Sequence, residues 1–489
     1  MGRIPVAMAE SVKMFLDGAW VDAEDGKTFA TTDPATTEVI ATVPAATKGD
    51  VDRAMEAAHR AFDDVAWRRM DPADRGRLLF KVAALLRERT EAIARIESRD
   101  QGKTLREAKG DVTFAAWTLE YYAGLADKIE GETIPVPGPR LNYTVREPVG
   151  VTVHIVPWNF PFQLALRGIA PALAAGNTVV AKPASYTPLS LLEFARACAD
   201  AGVPKGVVNV VTGGGRVVGN ALAGHARAGS VTLTGSTATG VDVLGAAARN
   251  LTPVTLELGG KCPNIVFPDA DLDKAAKGAW YGAFMNAGQM CWAGSRLLVH
   301  ESVHDEVVQR LSKMAEGWKL GPGLEKDTRM GPVVSAEQKA KALEYVDVGK
   351  REGAKLAFGG AAPTDAALAR GHFVAPAAFT GVTQDMRIAR EEIFGPVLSI
   401  LRFSSEEEAL RIANDTEFGL YAGVWTKDLA RAHRMASVIQ AGAVAVNEYP
   451  ITFPQTPFAG WKQSGIGSEQ GLTAIDAYTR RKTVIVNLG

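Results

Sequence analysis

Cysteine is scarce in this chain. Cys198, Cys262 and Cys291 are its only three in 489 residues. They are odd in number and far apart, and none sits in a CxxC or Cys/His cluster. That argues against a disulfide framework and a cysteine metal centre, and for a reducing, cytoplasmic setting. An excess of either charge is also missing. Lys plus Arg number 54 against 55 Asp plus Glu, for a net charge of −1. Nothing in that balance draws the protein to nucleic acid or to an anionic membrane. Long apolar runs are missing too. The opening "MGRIPVAMAESVKMFLDG" has no apolar core of an export signal. The uncharged stretch Gly278 to Ser295 is broken by glycines, an asparagine and a glutamine, so it reads as no membrane span. Repeats and low-complexity segments are absent. What remains is an ordinary globular composition, 47% hydrophobic and 22% charged, long enough for two to four domains.

The N-terminal part predicts a hairpin in "MFLDGAWV", because Asp17-Gly18 suits a type I′ turn. A helix follows in "DVDRAMEAAHRAF", with Asp50 as the expected N-cap and Val51, Ala54, Ala58 and Phe62 on one face. Another helix starts after Asp71-Pro72. From about residue 150 short apolar runs alternate with helical segments: "VTVHIV", "NTVVA", "VVNVV" and "SVTLT". The helix "PLSLLEFARACADAG" ends at Gly202, where a C-cap glycine belongs. The pattern predicts α/β architecture with a doubly wound parallel sheet. It begins again from 256, with "NIVF" as a strand and a helix starting near Asp271. Two extended, partly charged segments, "YTVREPVG" and "YTRRKTVIVN", could pair with each other or with another subunit's sheet.

Five short stretches carry possible chemistry, each with a plainer alternative. "TLTGSTATG" ends a strand and opens a helix, which aims N–H groups at an anion such as a pyrophosphate. Its glycines, Gly235 and Gly240, are spaced unlike the usual dinucleotide motif, and they could serve only tight packing. Lys182 in "VVAKPAS" sits at a strand end, where it could hold a ribose or lie exposed. Glu257 in "TLELGGKCPN" lies between leucines; burial would raise its pKa toward that of a general base, and a salt bridge is the alternative. Asn159 in "PWNFP" could donate to an oxyanion or simply form a turn. Cys291 in "NAGQMCWAGS" is wrapped by small residues that let a ligand approach, or it is a packed core thiol.

Taken in order, "PWNFP", "KPAS", "TGS", "LELGGK", "GQMC", "EEIFGPV" and "PFAGWKQSG" closely resemble the NAD(P)-dependent aldehyde dehydrogenase superfamily across nearly the whole chain. The resemblance implies that Cys291 is the nucleophile, that Asn159 and the Cys291 N–H hold the oxyanion, and that Glu257 activates water for release of the acid. It implies that Lys182 binds the adenosine ribose and that Gly235, Ser236 and Gly240 belong to the pyrophosphate turn. Glu392, Phe394 and Trp158 match the nicotinamide side. Glu469 matches a carboxylate assigned to proton relay. No metal is implied.

The departures bear on mechanism. Gly168 stands where many members have a lysine that assists Glu257. Ser185 replaces a glutamate that would repel a 2′-phosphate, so NAD⁺ and NADP⁺ are both expected as cofactors. Ala459 replaces a glycine, and nothing in the sequence interprets it. For the substrate, Arg167 matches one of two arginines used by semialdehyde members, but Met285 stands where the other would be. Phe160, Met285, Met290, Trp292 and Phe453 would line an apolar tunnel, which favours a hydrophobic or aromatic aldehyde over a semialdehyde. A CoA-acylating dehydrogenase is a further alternative, disfavoured by Glu257.

The resemblance implies two doubly wound Rossmann-like domains plus a small β oligomerisation arm. The cofactor domain is expected at 1–127 and 150–256 and the arm's first segment at 128–149. The catalytic domain is expected at 257–449. The chain would return to the cofactor domain and arm over 450–489. Exposed strand edges on the arm predict a homodimer or homotetramer.

Overall fold

The computed structural model describes residues 10–489. The opening segment read for an export signal therefore lies, up to residue 9, outside the described residues. The hairpin forms as expected: Met14–Leu16 pairs with Ala19–Val21, and Asp17 and Gly18 both take positive φ, as a type I′ turn requires. The next helix runs Lys48–Asp63, and here the expectation is corrected. Its N-cap is Thr47, and Asp50 is the third helical residue, accepting from the Thr47 N–H in a reciprocal capping box. An aspartate three residues inside a helix reads like a cap when the preceding threonine is overlooked. Helix Pro72–Glu88 is capped by Asp71, and helix Leu189–Ala201 ends at left-handed Gly202, both as expected.

Two large sheets organise the molecule. The first is eight-stranded. At its centre Val151–Ile155 lies parallel to Thr178–Lys182 on one side and to Ala228–Thr234 on the other. Val208–Val210 extends the first side and Val254–Glu257 the second. These strands are buried on both faces, which explains why they read as unbroken apolar runs. The chain winds outward from Val151–Ile155 in one direction, then returns to its other flank. The crevice at this switch point opens at the carboxyl ends of Ile155 and Thr234, where such sheets bind ligands.

The second sheet is seven-stranded and, apart from edge strand Lys355–Phe358, parallel. It winds the same way around Pro263–Val266. The chain crosses between sheets over residues 258–262, so Glu257 is the last residue of a first-sheet strand. Gly465–Ile466 later returns to that sheet, antiparallel to Leu256 and Glu257. Arg140–Pro148 and Thr479–Asn487 pair with each other over nine residues each. Leu141, Ile485 and Leu488 are exposed on this ribbon. Among the described residues no helix is long and apolar enough to cross a membrane, and no cluster of His, Cys, Asp or Glu could hold a metal.

Candidate active site

Asn159 leaves the central strand at the switch point. Pro161 then starts the helix Pro161–Ala174, its missing N–H costing nothing at that position. Asn159 is 3% exposed. Its Nδ2 donates to the Gln289 carbonyl at 3.0 Å, and its own carbonyl accepts from Asn286 Nδ2 at 2.8 Å. An amide carries two hydrogens, so one is left for a ligand oxygen.

Cys291 arrives from the other sheet. The helix Leu272–Phe284 stops, and Asn286, Ala287 and Gly288 follow with φ of 50°, 55° and 73°. Two successive left-handed residues with side chains are strained. At Gly288 the chain passes so close to its neighbour that a Cβ would lie 2.3 Å from the Gly395 carbonyl. This turn brings the Asn159 amide to Gln289, two residues before Cys291. Cys291 is 8% exposed; burial pushes its thiol pKa up, and the Arg167 charge pulls it back. Cys198 and Cys262 are buried, free thiols.

Glu257 is 1% exposed and neither carboxylate oxygen has a hydrogen-bond partner. Burial drives its pKa well up, Arg167 opposes the rise, and Glu469 adds to it. Glu469 is likewise buried and raised. Its carboxylate lies 2.6 Å from Arg167 Nη2, and the guanidinium also lies 4.5 Å over the Phe458 ring. Phe458 and Glu469 exchange backbone hydrogen bonds, so ring and carboxylate reach Arg167 together. One buried cation thus serves three acidic groups: Glu469, Glu257 and Cys291.

Gly168 is explained by what surrounds it. A Cβ there would meet His154 Nδ1 at 2.8 Å and Tyr478 Oη at 3.1 Å. The space a lysine would enter is filled from the sheet below. His154 Nε2 lies 2.9 Å from Thr152 Oγ1, and its Nδ1 is buried without a partner. Burial holds its pKa down at about 3. Between that value and the ordinary histidine pKa the unfolded chain binds a proton and the folded one does not, so stability falls as pH falls through this window. His154→Gln is expected to flatten the acid side of the stability curve by about 1.4 kcal/mol per pH unit between roughly pH 4 and 6, read by urea unfolding.

The cofactor-side residues surround a cavity of about 200 Å³ beside Cys291, lined by Trp158, Gly235, Ser236, Glu392 and Phe394 together with Asn159. Ser236 caps helix Thr237–Ala248 by accepting from the Thr239 N–H, which leaves the first helical N–H groups facing the cavity mouth. Glu392 accepts from the Gly260 N–H at 2.9 Å, and burial raises its pKa. Phe394 packs edge-on against Trp158, centroids 5.2 Å apart. Lys182 is buried at its strand end, donating to the Pro183 carbonyl, with its pKa lowered by burial to about 8. Ser185 Oγ donates to the Gly213 carbonyl at 3.0 Å. Gly240 faces Leu258, whose methyl carbons would lie 2.7 and 2.9 Å from a Cβ, so its lack of a side chain lets helix pack closely on strand.

On the other side of Cys291, Phe160, Met285, Met290 and Trp292 pack into one apolar cluster with Leu164 and Ala293. Phe453 lies apart from that cluster, 42% exposed and edge-on to Trp117. Sequence reading missed Trp117 and Glu107. The second was detectable as the partner of Thr104 in a capping box.

A thiol, an amide donor and an unpartnered buried carboxylate are set beside a cleft at the switch point of a doubly wound sheet, where α/β enzymes of this kind hold their ligands. The family model described as the aldehyde dehydrogenase family matches residues 20–484. An aldehyde dehydrogenase of Aspergillus niger is 46% identical over 485 residues, covering 99% of this chain and 97% of the relative. The betaine aldehyde dehydrogenase of Bacillus subtilis (strain 168) is 45% identical over 478 residues, covering 98% of each. Among solved structures, an NAD⁺ complex of an aldehyde dehydrogenase from Bacillus cereus superposes with a TM-score of 0.96 at 46% identity, covering 98% of this chain and 97% of that one. The chain belongs to the aldehyde dehydrogenase family, and it is an oxidoreductase acting on aldehydes.

Proposed function

We propose that this protein oxidises an aldehyde to its carboxylic acid through a thioester on Cys291, with NAD⁺ or NADP⁺ as hydride acceptor and water as acyl acceptor. The observation that carries the reading is the buried Glu257 carboxylate, unpartnered and electrostatically coupled to Cys291 through Arg167. The Cys291 thiolate attacks the aldehyde carbon, and the free Asn159 N–H with the Cys291 N–H receives the developing oxyanion. A bound nicotinamide would supply the hydride acceptor needed for that tetrahedral adduct to become the thioester. Trp158, Glu392 and Phe394 are placed to hold the ring and its ribose, and the Ser236 helix terminus suits the pyrophosphate. Glu257 then takes a proton from water, which attacks the thioester carbon and displaces Cys291. Glu469 and Arg167 hold the charge of that carboxylate in balance.

Ser185 supports use of both cofactors. Its hydroxyl leaves no negative charge beside Lys182 to repel a 2′-phosphate. The kcat/KM values for NAD⁺ and NADP⁺ are expected to lie within about a hundredfold of each other; a larger NAD⁺ preference contradicts this reading.

For the substrate, the Arg167 guanidinium is already ion-paired with Glu469 and covered by the Phe458 ring. A distal carboxylate would have to displace an internal partner, whereas the cluster around Phe160 and Met290 offers apolar surface. A hydrophobic or aromatic aldehyde fits best. Reduced-cofactor formation from aliphatic, aromatic and ω-carboxylic aldehydes, with and without coenzyme A, tests the proposal. An absolute requirement for coenzyme A overturns hydrolysis, and an ω-carboxylic aldehyde as best substrate overturns the apolar assignment.

The cytoplasm and a homodimer or homotetramer complete the proposal. The exposed apolar residues of the Arg140–Pro148 and Thr479–Asn487 ribbon support assembly.

A further inference from the structure

The strained turn before Cys291 is held from outside its own sheet. Asn286 and Ala287 take left-handed backbone without being glycine, so neighbouring groups must fix them. Glu107, on helix Leu105–Ala123, supplies the outermost fixture. One of its oxygens accepts from the Asn286 N–H at 2.9 Å. The other accepts from the Thr104 N–H at 2.9 Å and from the Thr104 hydroxyl at 2.7 Å. Asn286 passes the constraint on: its Nδ2 donates to the Asn159 carbonyl, while the Asn159 amide donates to the Gln289 carbonyl. Gln289 is fixed in turn, donating to the Asn286 carbonyl and accepting from the Val334 N–H.

The same segment holds the opposing loop. Buried Glu97 accepts from the Phe162 N–H at 3.2 Å, and buried Lys103 lies 4.2 Å over the Phe160 ring while paired with Glu97 and Asp111. Residues 97–111 therefore grip both the loop that carries Asn159 and the turn that carries Cys291.

We infer that Glu107 is a positioning residue that sets the spacing between the Asn159 amide and the Cys291 thiol by accepting from the Asn286 N–H. This rests on the aldehyde-oxidising reading above. Glutamine keeps one acceptor oxygen that can face the Asn286 N–H, while its NH2 then meets the Thr104 N–H, so Glu107→Gln is expected to keep the Asn286 contact and to weaken the helix cap. Displacing a reacting group by about 1 Å can cost on the order of a hundredfold.

The test compares the burst of reduced cofactor, the cofactor Kd and the thermal midpoint in wild type, Glu107→Ala, Glu107→Gln and Thr104→Ala. Glu107→Ala is expected to slow the burst about 10- to 100-fold, with the cofactor Kd within about twofold of wild type. Glu107→Gln is expected to restore the burst to within about threefold. Thr104→Ala removes the helix cap and leaves the Asn286 contact, so it is expected to lower the thermal midpoint without slowing the burst. A Glu107→Ala burst within about twofold of wild type overturns the assignment. So does a Glu107→Gln enzyme as slow as Glu107→Ala, or a Thr104→Ala enzyme slowed equally. If Glu107→Ala does not fold, Glu107→Asp, which keeps the charge and shortens the reach, takes its place in the comparison. A wild type that forms no reduced cofactor with any aldehyde refutes the dehydrogenase reading itself, whereas an unslowed first turnover in Glu107→Ala refutes only the positioning role.

Discussion

Glu257→Gln will release about one equivalent of reduced cofactor per site and then stop. The substitution keeps the shape of the side chain and removes its ability to take a proton. Formation of the thioester needs the Cys291 thiol and the oxyanion donors, which are untouched. Its hydrolysis needs a base, and removing such a base costs about 10²- to 10⁴-fold. Burial matters to the size of the effect. Glu257 is raised by desolvation and has no hydrogen-bond partner, which makes it a stronger proton acceptor than an exposed carboxylate. Wild-type deacylation should therefore rise with pH through the range where Glu257 loses its proton, and the variant should lose that dependence. Stopped-flow recording of the burst and the following steady rate checks both. Equal loss of burst and steady rate would place Glu257 in the first half-reaction instead.

Asn159→Ala is expected to lower the rate of thioester formation by about 10²- to 10³-fold. The amide has one hydrogen committed to Gln289 and one free. Loss of the free hydrogen removes a donor that gains strength only as negative charge builds on the aldehyde oxygen, so kcat should fall much more than KM rises. Loss of the committed hydrogen frees the Gln289 carbonyl and loosens the turn before Cys291. Asn159→Asp keeps the size, loses both hydrogens and places a negative charge beside the Gln289 carbonyl and where the oxyanion forms. It should be at least as slow as Asn159→Ala. A variant with nearly wild-type kcat would show that the Asn159 amide is a structural link alone.

Much of this was legible in the sequence because it is local. The hairpin rests on Asp17-Gly18, and the central strands on apolar runs that only a doubly covered parallel sheet can hide. The order of motifs pointed to Cys291, Glu257 and Asn159, and the fold brings them into one coupled region. What the sequence hid is long-range. Gly168 looked like a lost relay group, and only the packing of strand against helix shows His154 and Tyr478 in its place. Arg167 read as a substrate anchor because its partner Glu469 is some three hundred residues away. Gly240 had two readings, a phosphate turn with unusual spacing or tight packing, and only the fold shows Leu258 lying against it. Glu107 was legible only as the capping-box partner of Thr104, while its second oxygen reaches the turn before Cys291, which no local pattern shows.

The central claim is that the acyl group is carried by Cys291. Its most direct test is peptide mass spectrometry of Glu257→Gln quenched in acid after mixing with cofactor and an aldehyde that gives a burst. The account predicts an added acyl mass on the peptide containing Cys291, in proportion to the burst, and none on the peptides containing Cys198 or Cys262. A burst without an adduct on Cys291, or an adduct on either of the other two cysteines, would contradict it.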